Sequence, residues 1–242
     1  MADASEFIHC FDLVKSQLYA QKSKTSDENL QSICDVLVER LERLSRLAIY
    51  VACFSEIDDS ISQWRGYCPP SFGYSVGFNS NELEILASSQ GFTLRQCIYN
   101  PQQKVAMLNN WISEVLTFIS TKRPTTVSIA DFCERGIKEF LGRFATAASY
   151  MKDASFQDER EWRLVGLVPS DDPRVSVRSK KSMLIPYVPI QLHLSQNSKL
   201  LWNIRIGPTP YIELAMDTLS LYFRKVNIEN GVGRTMIPYR DW

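Results

Sequence analysis

The chain has 242 residues, with 27 Lys and Arg set against 27 Asp and Glu. That length suits one large domain or two small ones, and 45% apolar with 22% charged residues is the make-up of a folded globular protein. The balanced charge excludes a whole-protein basic field for nucleic acid or an anionic membrane, and no apolar run approaches the roughly 20 residues of a membrane helix.

The chain starts "MADASEF", without the basic-then-apolar pattern of a leader, so the expected location is the cytoplasm. Residues 4–19 place Phe7, Phe11, Val14 and Leu18 at helical spacing. "TSDE" at 25–28 has the form of a capping box, with Thr25 as the cap, opening a helix whose stripe is Leu30, Ile33, Leu37, Leu41, Leu44 and Leu47 or Ala48. The run is too short for a coiled coil and faces a core. "AIYVACFS" at 48–55 is a continuous apolar run, as in a buried strand.

The following stretch, 53–78, reads as strand, polar turn and strand, yet crowds Ser55, Trp64, Arg65 and Tyr67 between them. Exposed turns rarely need Trp and Tyr together, so the segment looks built to hold something. "GYSVGF" at 73–78 and "FTLRQCIY" at 92–99 are strands. Asn100-Pro101 gives an N-cap and a first-turn Pro, and the helix it opens buries Val105, Leu108, Trp111, Ile112, Val115 and Ile119. "SIAD" caps another helix, with Ile129, Phe132, Cys133, Ile137, Phe140, Leu141, Phe144 and Ala148 inward.

Beyond that the chain is mostly strand: 161–168, 183–192, 200–208 and a last one near 225–228, with a short helix over 211–223. The basic run "RSKK" at 178–181 reads as a solvated loop. No Gly/Ser linker divides the chain, so the expectation is one α+β domain over 1–242. It has a helical part at about 1–47, a mainly antiparallel sheet core and a helical insertion at about 100–152.

Six scattered cysteines lack C-x-x-C spacing, and only His9 and His193 could join them. Neither a zinc site nor a disulfide framework is expected; buried reduced thiols are. There is no G-x-S-x-G elbow and no Gly-rich phosphate loop. Both histidines read as structural. What remains is "FQDEREWRLV" at 156–165. If 159–163 is strand, Glu159 and Glu161 share a face with Arg163, while Trp162 and Leu164 take the other. The bland account is a solvent-facing edge carrying one Glu–Arg pair. The functional account is a pair of carboxylates able to stabilise an oxocarbenium-like centre and activate a nucleophile.

An ordered set of segments, "DASEF", "CFSE", "SQWRGY", "GYSVGF", "EREWRLV", "IRIGP" and "IPYR", resembles the bacterial domain-of-unknown-function family 2971. That family is in turn similar to a distant branch of the ADP-ribosyltransferase fold. The resemblance implies two packed, mainly antiparallel sheets with an NAD cleft between them. It implies Glu161 as the acid that holds the nicotinamide ribose, and Glu159 as the group that orients the acceptor. It also implies Ser55 as the second-strand serine, with Trp64, Arg65 and Tyr67 as a cofactor-binding wall.

The implied activity is transfer of ADP-ribose from NAD to nucleic acid or protein, in a toxin or phage-defence effector with a possible antitoxin partner. The alternatives are a catalytically inactive NAD or ADP-ribose-binding interaction module and an NAD glycohydrolase. Met1-Ala2 stands where the family's pattern has an Asn. The expectation is therefore a chain trimmed at, or lacking, the first NAD-binding strand with its Tyr or His.

Overall fold

The computed structural model describes residues 4–44, 49–69, 72–180, 182–192, 194, 199–228 and 231–238. His193, Lys181, Leu47 with Ala48, the Met1–Asp3 start and the Tyr239-Arg240 end of "IPYR" lie outside them. The chain divides into two compact units, Met1–Phe54 with Arg95–Pro189, and Ser55–Leu94 with Ile190–Trp242. Both contain helices and small sheets, and the class is α+β.

The first unit is built on five helices, α1 (Ala4–Lys24), α2 (Glu28–Leu44), α5 (Pro101–Lys122), α6 (Ile129–Gly136) and α7 (Lys138–Ala148). Residues read as an N-terminal helical part and a separate insertion thus share one core. Val14, Leu18, Leu37 and Leu41 meet Ile112, Val115, Ile119, Ile137 and Phe144 there. Phe144 stands edge-on to Phe11 at 5.2 Å and tilted against Trp111 at 5.0 Å. The Trp111 indole N–H donates to the Phe140 carbonyl at 2.8 Å, so this large ring buries its polar end with a partner.

Local starts follow the sequence with two corrections. Asn100 Oδ1 accepts from the Gln103 N–H at 2.9 Å, ahead of Pro101, as expected. Helix α2, however, is capped by Asp27, whose Oδ1 accepts from the Asn29 N–H at 2.9 Å, two residues after the expected Thr25. An Asp next to the first helical residue outcompetes the more distant Thr for those N–H groups. The single helix expected after Ser128 is two, because the chain breaks at Ile137, just past Gly136.

Strands β1 (Ile49–Ser55), β3 (Thr93–Gln96) and β4 (Glu161–Leu167) form a sheet in the order β1-β4-β3. The central strand is β4, and Arg163, Leu164 and Val165 are all buried. Strand β1, expected to be buried, is half-exposed, with Ala52 and Cys53 open. The run read as a loop at 178–181 instead contributes to β5 (Ser176–Lys180), which pairs antiparallel with β6 (Met183–Tyr187).

The second unit holds a helix where a polar turn was expected: α3 (Ile61–Tyr67) precedes β2 (Tyr74–Phe78). A further helix, α4 (Ser80–Ser89), is capped by Asn79, whose side chain accepts from the Asn81 and Glu82 N–H groups. Strand β7 (Leu201–Ile206) pairs antiparallel with β2 and parallel with β8 (Gly231–Arg234). Helix α8 (Ile212–Lys225) links the last two. The final strand therefore begins after residues 225–228, because Val226 caps the helix and Asn227 turns at φ 56°.

Candidate functional site

Glu161 is the first residue of β4, and it is 5% exposed. Its backbone is fixed from both sides. The carbonyl accepts from the Cys97 N–H at 2.8 Å, and its N–H donates to the Tyr99 phenol oxygen at 2.8 Å. Its carboxylate is engaged at both oxygens. Oε1 accepts from Arg163 Nε at 2.7 Å, and Oε2 receives the Lys152 ammonium. Arg163 is 3% exposed and also donates to the Ser149 carbonyl at 2.9 Å. Lys152 reaches Glu159 Oε2 at 2.5 Å and lies 5.1 Å from the Phe156 ring centroid. Two acids and two bases thus close a neutral cluster in the first unit.

The two carboxylates do not meet by strand alternation. Glu159 ends a 3-10 helix (Ala154–Glu159), and Arg160 turns in the left-handed region at φ 42°, ψ 52° before β4 begins. That turn changes the chain's direction between the acids, and Lys152 gathers them instead. Glu161 and Arg163 do share a strand face, as read from the sequence, but that face is buried and is not a solvent-facing edge. Lys152 was missed; nothing in "YMKDASF" announces it, because its partners arrive through a turn.

Charge states follow from this enclosure. Burial pushes the Glu161 carboxyl up, but the hydrogen bonds from Arg163, Cys53 and Lys152 and the Arg163 charge prevail and hold it below 4.5. For Lys152 burial works downward, and the bonds to Glu159 and Glu161 overcome it, raising its pKa. Cys53 lies on an open stretch of β1, but its thiol is hydrogen-bonded to Glu161, and the loss of solvent around the sulfur together with that bond pushes it from 9.0 up to about 12. Burial also takes Cys97 up to about 12. The cluster keeps its carboxylate charged and its neighbouring thiols protonated at neutral pH.

The remaining predicted residues belong to the second unit. Ser55 Oγ accepts from the Ile57 N–H at 3.0 Å, a local turn. Trp64 is 8% exposed, and its indole N–H donates to Asp59 Oδ1 at 2.8 Å. A Cβ on Gly207 would come within 2.8 Å of that ring, and the Gly207 N–H donates to the Gly73 carbonyl at 2.9 Å. The indole therefore fills the interior between "SQWRGY", "GYSVGF" and "IRIGP" and is not a surface platform.

Asp59 also accepts from Thr235 Oγ1 at 2.6 Å and the Met236 N–H at 2.7 Å, and Arg205 pairs with Asp58 at 2.6 Å. Burial raises the Asp59 carboxyl, but these donors and Arg205 together hold it below 3.8. Arg65 and Tyr67 are both exposed on α3, Tyr67 at 73%, and stand two residues apart on different faces of the helix. Asp58 and Asp59 were overlooked; their place directly before "SISQWRGY" was the available signal.

Residues 63–164 match the family model described as protein of unknown function (DUF2971). The matched span contains most of "SQWRGY", all of "GYSVGF" and "EREWR", so the family read from those motifs is the family found. No curated protein and no solved structure matches the chain.

Proposed function

We propose, for a chain that carries a DUF2971 family segment at residues 63–164, a binding module that takes NAD or ADP-ribose and does not turn it over. The observation behind this reading is the engagement of Glu161: both carboxylate oxygens are held by buried cations, and the residue is 5% exposed. An acid that stabilises an oxocarbenium centre must reach it, and here it is occupied by its own chain. Recognition would fall to exposed groups. Arg65 supplies a cation for a pyrophosphate and Tyr67 a ring for a base, both on α3.

A second reading keeps ADP-ribosyl transfer, with the toxin or defence role that goes with it. It is favoured by one observation: the cluster holds Glu161 in the anionic form that such chemistry uses. Thermal unfolding with NAD or ADP-ribose, alongside chromatographic assay of free nicotinamide, separates the two. The binding module gives a rise in Tm with saturating ligand, of the size that about 2.7 kcal/mol produces at a hundredfold excess over Kd, and no nicotinamide. Arg65→Ala and Tyr67→Ala abolish that rise. No rise with either ligand refutes the binding reading.

A further inference from the structure

Helix α8 is apolar on two sides. Phe223 is buried, and the half-buried Ile212, Met216 and Leu219 stand with it on the side that packs on β7 and β8. Tyr211, Leu214, Thr218, Leu221 and Lys225 rise on the opposite side, in the alternating spacing of a coiled-coil seam, with Tyr222 beside them. Tyr211 is 71% exposed, Leu214 66%, Leu221 63% and Tyr222 57%, so this ridge is open to water. Single exposed apolar side chains are ordinary on a protein surface, but a row of four rimmed by charges marks an interaction site.

The order of residues along the ridge selects the occupant. The midpoint between Asp217 and Thr218 is equally far from Leu214 and from Leu221. A two-fold axis there lays a second α8 antiparallel, with Leu214 of each copy on Leu221 of the other and Tyr211 close to Tyr222 of the other. Charge runs the same way. Glu213 and Asp217 lie in the first half of the helix, and Arg224 and Lys225 lie in its last turn. Antiparallel pairing brings Glu213, whose side chain pairs with Arg234 yet stays 76% exposed, to the level of Arg224 in the second copy. Parallel pairing would instead set Arg224 beside Arg224 and Lys225 on Lys225. The two Asp217 side chains come near each other at the axis, on the exposed flank, where the like-charge cost is small.

We propose that α8 is a self-association surface, on which two copies of the chain pair antiparallel about a two-fold axis beside Thr218. Two open tyrosines and two open leucines offer on the order of 500 Å² per copy and about 1,000 Å² for the pair, the low end for a specific complex. The dimer is therefore weak, with Kd on the order of 10–100 μM. This surface is independent of the NAD reading, and either stands if the other fails.

The test is sedimentation equilibrium of the full chain from about 5 to about 500 μM. The parent's average mass climbs from that of the 27.8 kDa monomer toward twice that value. The Leu214→Glu, Leu221→Glu variant, altered only at exposed positions, keeps the parent's circular dichroism and stays monomeric throughout. Mild oxidation reports the orientation. Thr218→Cys lies at the axis and gives a dimer linked through residue 218, mapped by mass spectrometry against the parent's own cysteines. Leu214→Cys does not, because its two copies lie about 10 Å apart along an antiparallel pair that rises about 1.5 Å per residue. A parent that stays monomeric over the whole range overturns the proposal and leaves the ridge to a different protein. So does a Glu variant that associates as the parent does, or equal crosslinking of Thr218→Cys and Leu214→Cys.

Discussion

Glu161→Gln removes the one negative charge shared by two buried cations and keeps the side chain's size. Lys152 is 7% exposed and Arg163 3%, so neither can turn to water without moving its strand or turn. Glu159 remains for Lys152, while Arg163 loses the Glu161 carboxylate and retains the Ser149 carbonyl. Stranding a buried charge in this way costs about 3–5 kcal/mol. With a urea m value of about 2 kcal/mol/M, a loss of about 4 kcal/mol moves the midpoint down by about 2 M. Far-UV circular dichroism reports it well, because the five helices of the first unit carry most of the helical signal. Glu159→Gln is the internal comparison. Its side chain keeps 24% exposure, and its loss costs about 1 kcal/mol or less. A Glu161→Gln midpoint within about 0.5 M of the parent, or equal to that of Glu159→Gln, refutes the structural assignment of this carboxylate.

Three further outcomes follow from the same geometry. Glu161 is held below its ordinary 4.5, so its contribution to stability is full above that value and lost as pH falls through the depressed one. Urea midpoints from pH 6 to 3 should fall more steeply for the parent than for Glu161→Gln, and parallel curves would contradict this. Cys53, pushed from 9.0 to about 12, should have a thiolate fraction about a thousandfold below that of an ordinary thiol. Mass-spectrometric alkylation at pH 8 should find it slow in the parent and faster in Glu161→Gln, where the hydrogen bond and repelling charge are gone; an equal rate would count against the contact. Gly207→Ala would press a methyl to within 2.8 Å of the Trp64 ring and should destabilise the second unit by about 1–3 kcal/mol, read by tryptophan fluorescence on denaturation. An unchanged midpoint would show that the ring yields freely.

Much of the architecture was legible because it rests on local signals. The Asn100-Pro101 start, the stripe from Leu108 to Ile119 and the 161–167 strand follow from capping chemistry and periodicity, which act over a few residues. Helix α3 was not legible as a helix: Trp64, Gly66 and Tyr67 are weak helix formers, and packing of the indole against Gly207 and Gly73 overrides propensity. The break at Ile137 comes directly after Gly136, a local signal that the apolar periodicity masked, whereas the left-handed turn at Arg160, a non-glycine residue, has no local signal. The E-x-E motif was visible in "EREW", but its meaning depended on Lys152, seven residues before Glu159 and brought back by a 3-10 turn. The Asp58-Asp59 pair of the second unit, which anchors Trp64 and Arg205, was not legible because acids in a polar stretch read as solvated surface.

The most direct measurement is free nicotinamide from the full parent chain incubated with NAD, followed to many equivalents per protein. With Glu161 tied to Lys152 and Arg163, the amount formed should match that in protein-free buffer while NAD still raises the melting temperature. Sustained formation that disappears in Glu161→Gln, with the variant shown to be folded, would mean that this carboxylate works on substrate.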